Sequence, residues 1–94
     1  MDPPIYGHGP SGEKWDFNLD FPKLLDNCRQ LLSENPLFIL VNAYAISSSA
    51  LMLENVLGDY FKDLGGQIEV GELVLKEENS ERLLSTGIFA RWFK

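Results

Sequence analysis

The residues best suited to chemistry begin with a short run near the N-terminus. Asp2 is followed directly by Pro3 and Pro4. Each proline fixes φ and lacks a backbone N–H, so this turn is rigid, and the Asp2 carboxylate and the turn's carbonyl groups can face a ligand. His8 is the only histidine, and the glycines beside it would leave its imidazole accessible for proton transfer. A solvated loop position is the simpler interpretation of His8.

Aromatic and sulfur-containing side chains offer two further kinds of chemistry. Trp15, Phe17 and Phe21 could form an aromatic platform for a nucleic-acid base, although packing of a loop against a sheet is the favoured reading. Cys28 is the only cysteine, and its place in an apolar helical stripe predicts a buried, unreactive thiol. One histidine and one cysteine far apart in the chain do not make a ligand set, so we expect no metal site.

The composition is that of one small globular domain spanning residues 1–94. The 14 acidic residues outnumber the 8 basic ones and give a formal charge of −6. This charge argues against nucleic-acid binding by the chain alone, because phosphate neutralisation supplies most non-specific affinity. A single cysteine cannot form an internal disulfide, which favours a cytoplasmic location. No apolar run is long enough for a membrane span, so no membrane partner is expected.

The elements that must position these residues follow from the apolar spacing. Residues 2–18 contain several prolines and glycines and predict a loop. Asp20 is a plausible N-cap and Pro22 an early helical proline, so we expect a helix from there to the Asn35-Pro36 stop. Its apolar stripe would be Leu24, Leu25, Cys28, Leu31 and Leu32. The next run, residues 37–41, is apolar at every position, which predicts a strand buried on both faces inside a parallel sheet.

The second half of the chain predicts a helix followed by a hairpin. Serines 47–49 can cap a helix that Gly65-Gly66 would end. Two strands, residues 67–77 and 86–93, flank a polar turn and would form an antiparallel hairpin at one edge of the sheet. The apolar alternation slips near Gly71, which predicts a bulge. Alternating helices and strands of this kind indicate an α/β fold.

The strand at residues 37–41 lacks an earlier strand with which it could pair in parallel. Residues 42–45 follow its carboxyl end, where ligands bind in open α/β sheets. The unpaired edge predicts that two copies associate as a homodimer, by joining strands or exchanging elements. Folding of residues 1–18 back over the edge is the alternative.

Three stretches of sequence carry a resemblance to a known family. They are the segment that begins with Asp2-Pro3-Pro4 and ends at Trp15, the segment Leu31-Leu32-Ser33, and the segment Phe89-Ala90-Arg91-Trp92. In this order they resemble the C-terminal half of a class I S-adenosylmethionine-dependent methyltransferase. The more specific likeness is to a bacterial group related to ribosomal-RNA large-subunit methyltransferases. The resemblance implies half of a Rossmann-like sheet, with residues 1–18 as the active-site loop and 19–94 as the α/β part.

The resemblance also implies roles for residues of the N-terminal loop. Asp2, Pro3 and Pro4 would be the catalytic residues at the mouth of the site, and Asp2 would also contact the cofactor, S-adenosylmethionine. Tyr6 is a candidate wall of the substrate site, and His8 is a second candidate for substrate binding. The parent enzyme would act on RNA or another ribosome-associated target.

Departures from the family pattern narrow the chemistry. Ile5 stands where amino-group methyltransferases usually place an aromatic residue, which argues against an adenine or cytosine amino group as the target. Residues 42–49 contain no cysteine, which argues against covalent pyrimidine chemistry. The glycine-rich loop and the ribose-binding acid of the cofactor half are also missing. We therefore expect an inactive fragment of a methyltransferase. The alternative is a non-enzymatic folding or interaction module that self-associates through its open sheet edge.

Overall fold

The computed structural model describes residues 1–94 and contains two helices and two small sheets. The elements are β1 (Tyr6–His8), β2 (Lys14–Asp16), α1 (Phe17–Gln30), β3 (Phe38–Ala43), α2 (Ala50–Phe61), a 3-10 turn (Lys62–Leu64), β4 (Gln67–Lys76) and β5 (Leu83–Phe93). The predicted mixed α/β class and the order helix, strand, helix, hairpin are confirmed. Neither helix is long and apolar enough to cross a membrane.

The N-terminal segment contains a short hairpin, although its glycines and prolines predict a loop. β1 and β2 pair antiparallel, with Tyr6 opposite Asp16. The connecting turn closes through the Gly9 N–H, which donates to the Glu13 carbonyl at 2.8 Å. Three-residue strands carry too little apolar alternation to stand out in the sequence. The loop prediction for residues 2–18 is therefore only partly correct.

The N-cap of helix α1 lies four residues before the predicted cap. Asp16 is the N-cap, and its carboxylate accepts from the Asn18 N–H at 3.0 Å. Asp20 lies one turn later, and its carboxylate accepts from the Asp16 N–H at 2.8 Å. The two acids thus cap the helix together, since both satisfy backbone donors at its positive end. Pro22 lies inside the helix.

The buried row of α1 differs from the predicted stripe. Phe17, Phe21 and Leu25, spaced by four, are its buried residues. Cys28 is only half-buried, so the prediction of a buried thiol is wrong. The reason is geometric: the next residue in the four-spaced row is Arg29, which donates to the Tyr60 carbonyl at 3.1 Å.

The main sheet has the order β3-β5-β4 and is antiparallel throughout. The last strand, β5, is therefore the middle one, with β3 on one side and β4 on the other. The predicted β4–β5 hairpin is confirmed, but β3 lies at an edge and has no parallel neighbouring strand in this chain. The register shifts where Thr86 is extra on β5, so the bulge lies on β5 and not at Gly71.

Both helices cover the same face of this sheet. The sheet contributes four buried side chains on the side of the helices: Val41, Ala43, Ala90 and Trp92. They lie in one cluster with residues of α1 and α2. From the helices the cluster takes Phe17, Phe21, Leu25, Leu53, Leu57 and Phe61. Leu53, Leu57 and Phe61 thus form one buried face of α2, and Ala90 and Trp92 lie buried on the same side of β5.

The opposite face of the sheet is open. We call it the open face; its apolar side chains are Phe38, Leu40, Leu73, Leu75, Phe89 and Phe93. Phe38 exposes 66% of its surface and Leu75 62%. The consecutive apolar run in β3 predicts burial on both faces, and that prediction is wrong for this chain, because only the helical side is covered. The sequence pattern nevertheless shows that both faces are built from core-type side chains.

The free edge of β3 is partly occupied by the N-terminus. The Met1 amino group donates to the Leu40 carbonyl at 2.6 Å, and the Asn42 N–H donates to the Met1 carbonyl at 3.0 Å. This is the bonding pattern of a residue in a parallel strand. The fold-back over the edge therefore involves Met1 and not the whole 1–18 segment.

Candidate functional site

The predicted catalytic turn lies at the carboxyl end of β3. The Asn42 side-chain amide donates to Asp2 Oδ1 at 2.8 Å, and the Asn42 N–H holds the Met1 carbonyl. Asp2 and Pro4 are exposed, whereas Pro3 is buried. One oxygen of the Asp2 carboxylate is thus held by the protein, and Oδ2 has no hydrogen-bond partner in this chain. The turn presents a fixed, accessible acceptor beside the carboxyl end of β3.

A second contact fixes the other end of the turn. The Trp15 indole N–H donates to the Pro4 carbonyl at 2.5 Å, and the Phe17 N–H donates to the Ile5 carbonyl at 3.0 Å. Because Trp15 lies on β2, the β1–β2 hairpin serves as a support for the Asp2–Pro4 turn. The proline rings limit the backbone, and these two hydrogen bonds decide where the turn lies.

The two candidate substrate residues form a pair on β1. The Tyr6 hydroxyl and His8 Nε2 are 2.5 Å apart, and their rings meet edge to face with centroids 5.0 Å apart. Both side chains are exposed. No hydrogen bond joins either of them to Asp2. The structure therefore brings Tyr6 and His8 together, and it places them on the hairpin that also supports the turn.

Asn42 is the residue that sequence reasoning did not assign. It is the one polar residue within β3 and points to the open face, where it borders a groove of about 780 Å³. Its position after an apolar run at a strand end was the available signal. Its bond to Asp2 joins residues forty positions apart, and nothing local in the sequence indicates that bond.

The other candidate residues have structural roles. Phe17 and Phe21 stack with centroids 4.7 Å apart inside the core. The prediction that these rings pack in the interior is therefore confirmed, and they do not form an aromatic platform for a base. The Trp92 indole donates to the Gly65 carbonyl at 2.7 Å, and Arg91 forms an ion pair with Glu69. No group of three or more His, Cys, Asp or Glu side chains is placed to hold a metal ion.

A solved structure of known activity is similar to this chain in both fold and sequence. It is an S-adenosylmethionine-dependent methyltransferase from Agrobacterium tumefaciens, with 35% identity and a TM-score of 0.90 over 98% of the present chain. The present chain spans 31% of the length of that methyltransferase. No protein-family model and no curated protein matches the sequence. The two helices and the β3-β5-β4 sheet thus match a fragment of a methyltransferase fold.

Proposed function

We propose that this chain is a segment of an S-adenosylmethionine-dependent methyltransferase and contributes the Asp2–Pro4 turn to its methyl-transfer site. The observation that carries the proposal is the similarity to the Agrobacterium methyltransferase, which extends over nearly all of this chain at 35% identity. The earlier resemblance of the Asp2 to Trp15 string points to the same family by a separate route.

The contacts around the turn support a positioning role. Methyl transfer is an in-line displacement, and holding donor and acceptor in line supplies much of its acceleration. Pro3 and Pro4 fix the backbone, and Asp2, held at Oδ1 by Asn42, is accessible through its other oxygen. In this proposal Asp2 orients the cofactor or the substrate, while Tyr6 and His8 contact the substrate.

The residues present fit one side of a site for S-adenosylmethionine. The cofactor supplies an activated methyl group on a positively charged sulfur, and it carries amino and hydroxyl donors. An exposed carboxylate with a free oxygen can accept from such donors and favours a nearby positive charge. The enclosing walls are to be supplied by the remaining part of the enzyme, and the fragment alone is inactive.

The substrate class in this proposal is RNA or another ribosome-associated target. Its support is the resemblance to ribosomal-RNA methyltransferases. The formal charge of −6 means that another part of the enzyme must supply the basic groups that hold RNA. The single cysteine is in keeping with action in the cytoplasm.

A chimeric enzyme tests the proposal directly. The matching third of the Agrobacterium methyltransferase is replaced by this chain, and the chimera is given S-adenosylmethionine with a radiolabelled methyl group together with cell RNA. We expect labelled product from the chimera. Asp2→Ala should lower the rate by roughly 10²-fold or more, because a positioned polar group at the reacting centre is lost.

Asp26→Ala provides the matched control. Asp26 is an exposed acid on α1 whose carboxylate accepts only from the Gln30 side chain. This variant should leave the rate within about twofold, as surface changes usually do. A folded chimera that binds the cofactor but transfers no methyl group would count against the proposal as a whole. Equal losses of rate in Asp2→Ala and Asp26→Ala would count against the role of Asp2.

A non-enzymatic module that self-associates is the second candidate function. The observation that favours it is the open face, which exposes large apolar side chains across three strands. The two candidates differ in one measurement, since only a methyltransferase segment restores methyl transfer in the chimera.

A further inference from the structure

Asn42 is a polar side chain in an otherwise apolar strand. The remaining residues of β3 are Phe38, Ile39, Leu40, Val41 and Ala43. Asn42 is half-buried and lies opposite Phe89 in the register of β3 and β5. An amide placed among apolar side chains costs free energy unless it is hydrogen-bonded. The position of Asn42 therefore requires a specific partner.

That partner is the Asp2 carboxylate. The Asn42 side chain donates through Nδ2 to Asp2 Oδ1 at 2.8 Å. A carboxylate only accepts hydrogen bonds, so Nδ2 must face Asp2 and the amide oxygen of Asn42 must face away from it. A hydrogen bond to a carboxylate is also shorter and stronger than one between neutral groups. The contact thus fixes the rotation of the carboxylate, with Oδ1 bound to Asn42 and Oδ2 left without a partner in this chain.

The backbone of the turn is held by other contacts. Met1 bonds to β3 through both its amino group and its carbonyl. The Trp15 indole N–H holds the other end of the turn by donating to the Pro4 carbonyl. These contacts leave the side chain of Asp2 free to rotate about its own bonds. The hydrogen bond from the Asn42 amide is the contact that restricts this rotation.

We propose that Asn42 is a positioning residue of the methyl-transfer site, which holds the Asp2 carboxylate in the orientation in which Oδ2 meets the ligand. The inference rests on the proposed function, in which Asp2 orients the cofactor or the substrate. A side chain that is oriented before the ligand arrives loses less conformational freedom on binding. A displacement of about 1 Å at a reacting centre can lower the rate by about 10²-fold. Asn42 acts through Asp2 and not by contact with the reacting atoms.

Two variants of the chimeric methyltransferase described above test this role. Asn42→Asp keeps the size of the side chain but replaces the donor by a second carboxylate, which repels that of Asp2. Asn42→Ala removes the donor without adding a charge, and it serves if Asn42→Asp does not fold, as judged by circular dichroism. Both variants retain the backbone N–H that holds the Met1 carbonyl. We expect each to lower methyl transfer by about tenfold or more, through the same kinetic constant, kcat or KM, that Asp2→Ala changes.

A double-mutant cycle separates positioning from a contribution to folding. In the Asp2→Ala background there is no carboxylate to orient, so adding Asn42→Ala should lower the rate by less than about twofold. A residue that only stabilised the fold would lower the rate equally with and without Asp2. Losses that multiply independently in the double variant would therefore overturn the proposal.

Gln30→Glu and Gln30→Ala are the matched controls. The Gln30 amide donates to the Asp26 carboxylate at 3.1 Å, so the same chemical pair is present on the exposed surface of α1. Both controls should keep the rate of the original chimera within about twofold. If the original chimera is active and the Asn42 variants match the Gln30 variants, the positioning role is overturned and the proposed function stands. If the original chimera folds and binds the cofactor but is inactive, the proposed function fails and this inference fails with it.

Discussion

Two tryptophans make the same kind of hydrogen bond at different depths in the structure. Trp92 is 1% exposed and donates to the Gly65 carbonyl, while its ring stacks on Phe61 with centroids 5.8 Å apart. Trp15 is half-buried and donates to the Pro4 carbonyl. The first bond anchors the end of the α2–β4 connection to the central strand. The second bond supports the candidate catalytic turn.

Replacing each tryptophan by phenylalanine separates stability from site geometry. Trp92→Phe removes the bond to Gly65 and leaves a gap in the core, so the free energy of unfolding should fall by about 1–2 kcal/mol. Trp15→Phe should cost less than about 1 kcal/mol, because water can replace a half-exposed donor. Urea denaturation followed by circular dichroism measures both. An equal loss in the two variants would mean that the N-terminal hairpin belongs to the cooperative core.

At the level of the elements, the sequence predicts helices better than it predicts sheet neighbours. The face of α2 was predictable because Leu53, Leu57 and Phe61 repeat at helical spacing. The start of α1 was not, since two acids four residues apart, Asp16 and Asp20, both suit a cap. Apolar alternation assigns a strand but does not name its partner, so the central place of β5 had to come from the structure.

The candidate site was predictable in its residue types and not in its supports. The Asp2-Pro3-Pro4 run is visible in the sequence as a rigid turn. Its fixation by Asn42 and Trp15 depends on contacts between distant segments, which a linear pattern does not contain. Burial of the open face was wrongly expected, because residues 37–41 look the same whether the second layer belongs to this chain or to another molecule.

Two glycines should respond in opposite directions to the same change. Gly66 has φ of +79°, and an added Cβ would lie 2.5 Å from the Phe93 carbonyl oxygen, so Gly66→Ala should destabilise by about 1–3 kcal/mol. Gly58 lies within α2 with open space around it, so Gly58→Ala should stabilise by about 0.5–1 kcal/mol. Thermal unfolding measures both, and a rise in Tm for Gly66→Ala would refute the turn geometry described here.

At the scale of the whole molecule, the helices cover one face of the sheet and the opposite face is uncovered. The helices bury a single core of ten side chains, while the opposite face and the Asp2–Pro4 turn remain accessible. A small-molecule site normally buries most of its ligand between several walls. Here the candidate site offers one wall only, in keeping with a chain that spans 31% of the methyltransferase that it matches.

The isolated chain should therefore bind S-adenosylmethionine poorly. We expect a dissociation constant well above about 10 μM by isothermal calorimetry, since one exposed carboxylate cannot supply the roughly 7 kcal/mol that 10 μM requires. The chimera described above, which restores the other walls, is the positive control. Binding by the isolated chain at or below that concentration would show that the pocket is more complete than a single wall.

The central position of β5 has a consequence for how the protein is made. Because the middle strand of the sheet follows both of its neighbours in the sequence, β3 and β4 have no sheet partner until β5 has been synthesised. Pairs such as Phe38 with Phe93 then close long loops, and such a high contact order slows folding. The nascent chain keeps two apolar strands unpaired until β5 has left the ribosome, and exposed apolar strands of this kind are prone to aggregation.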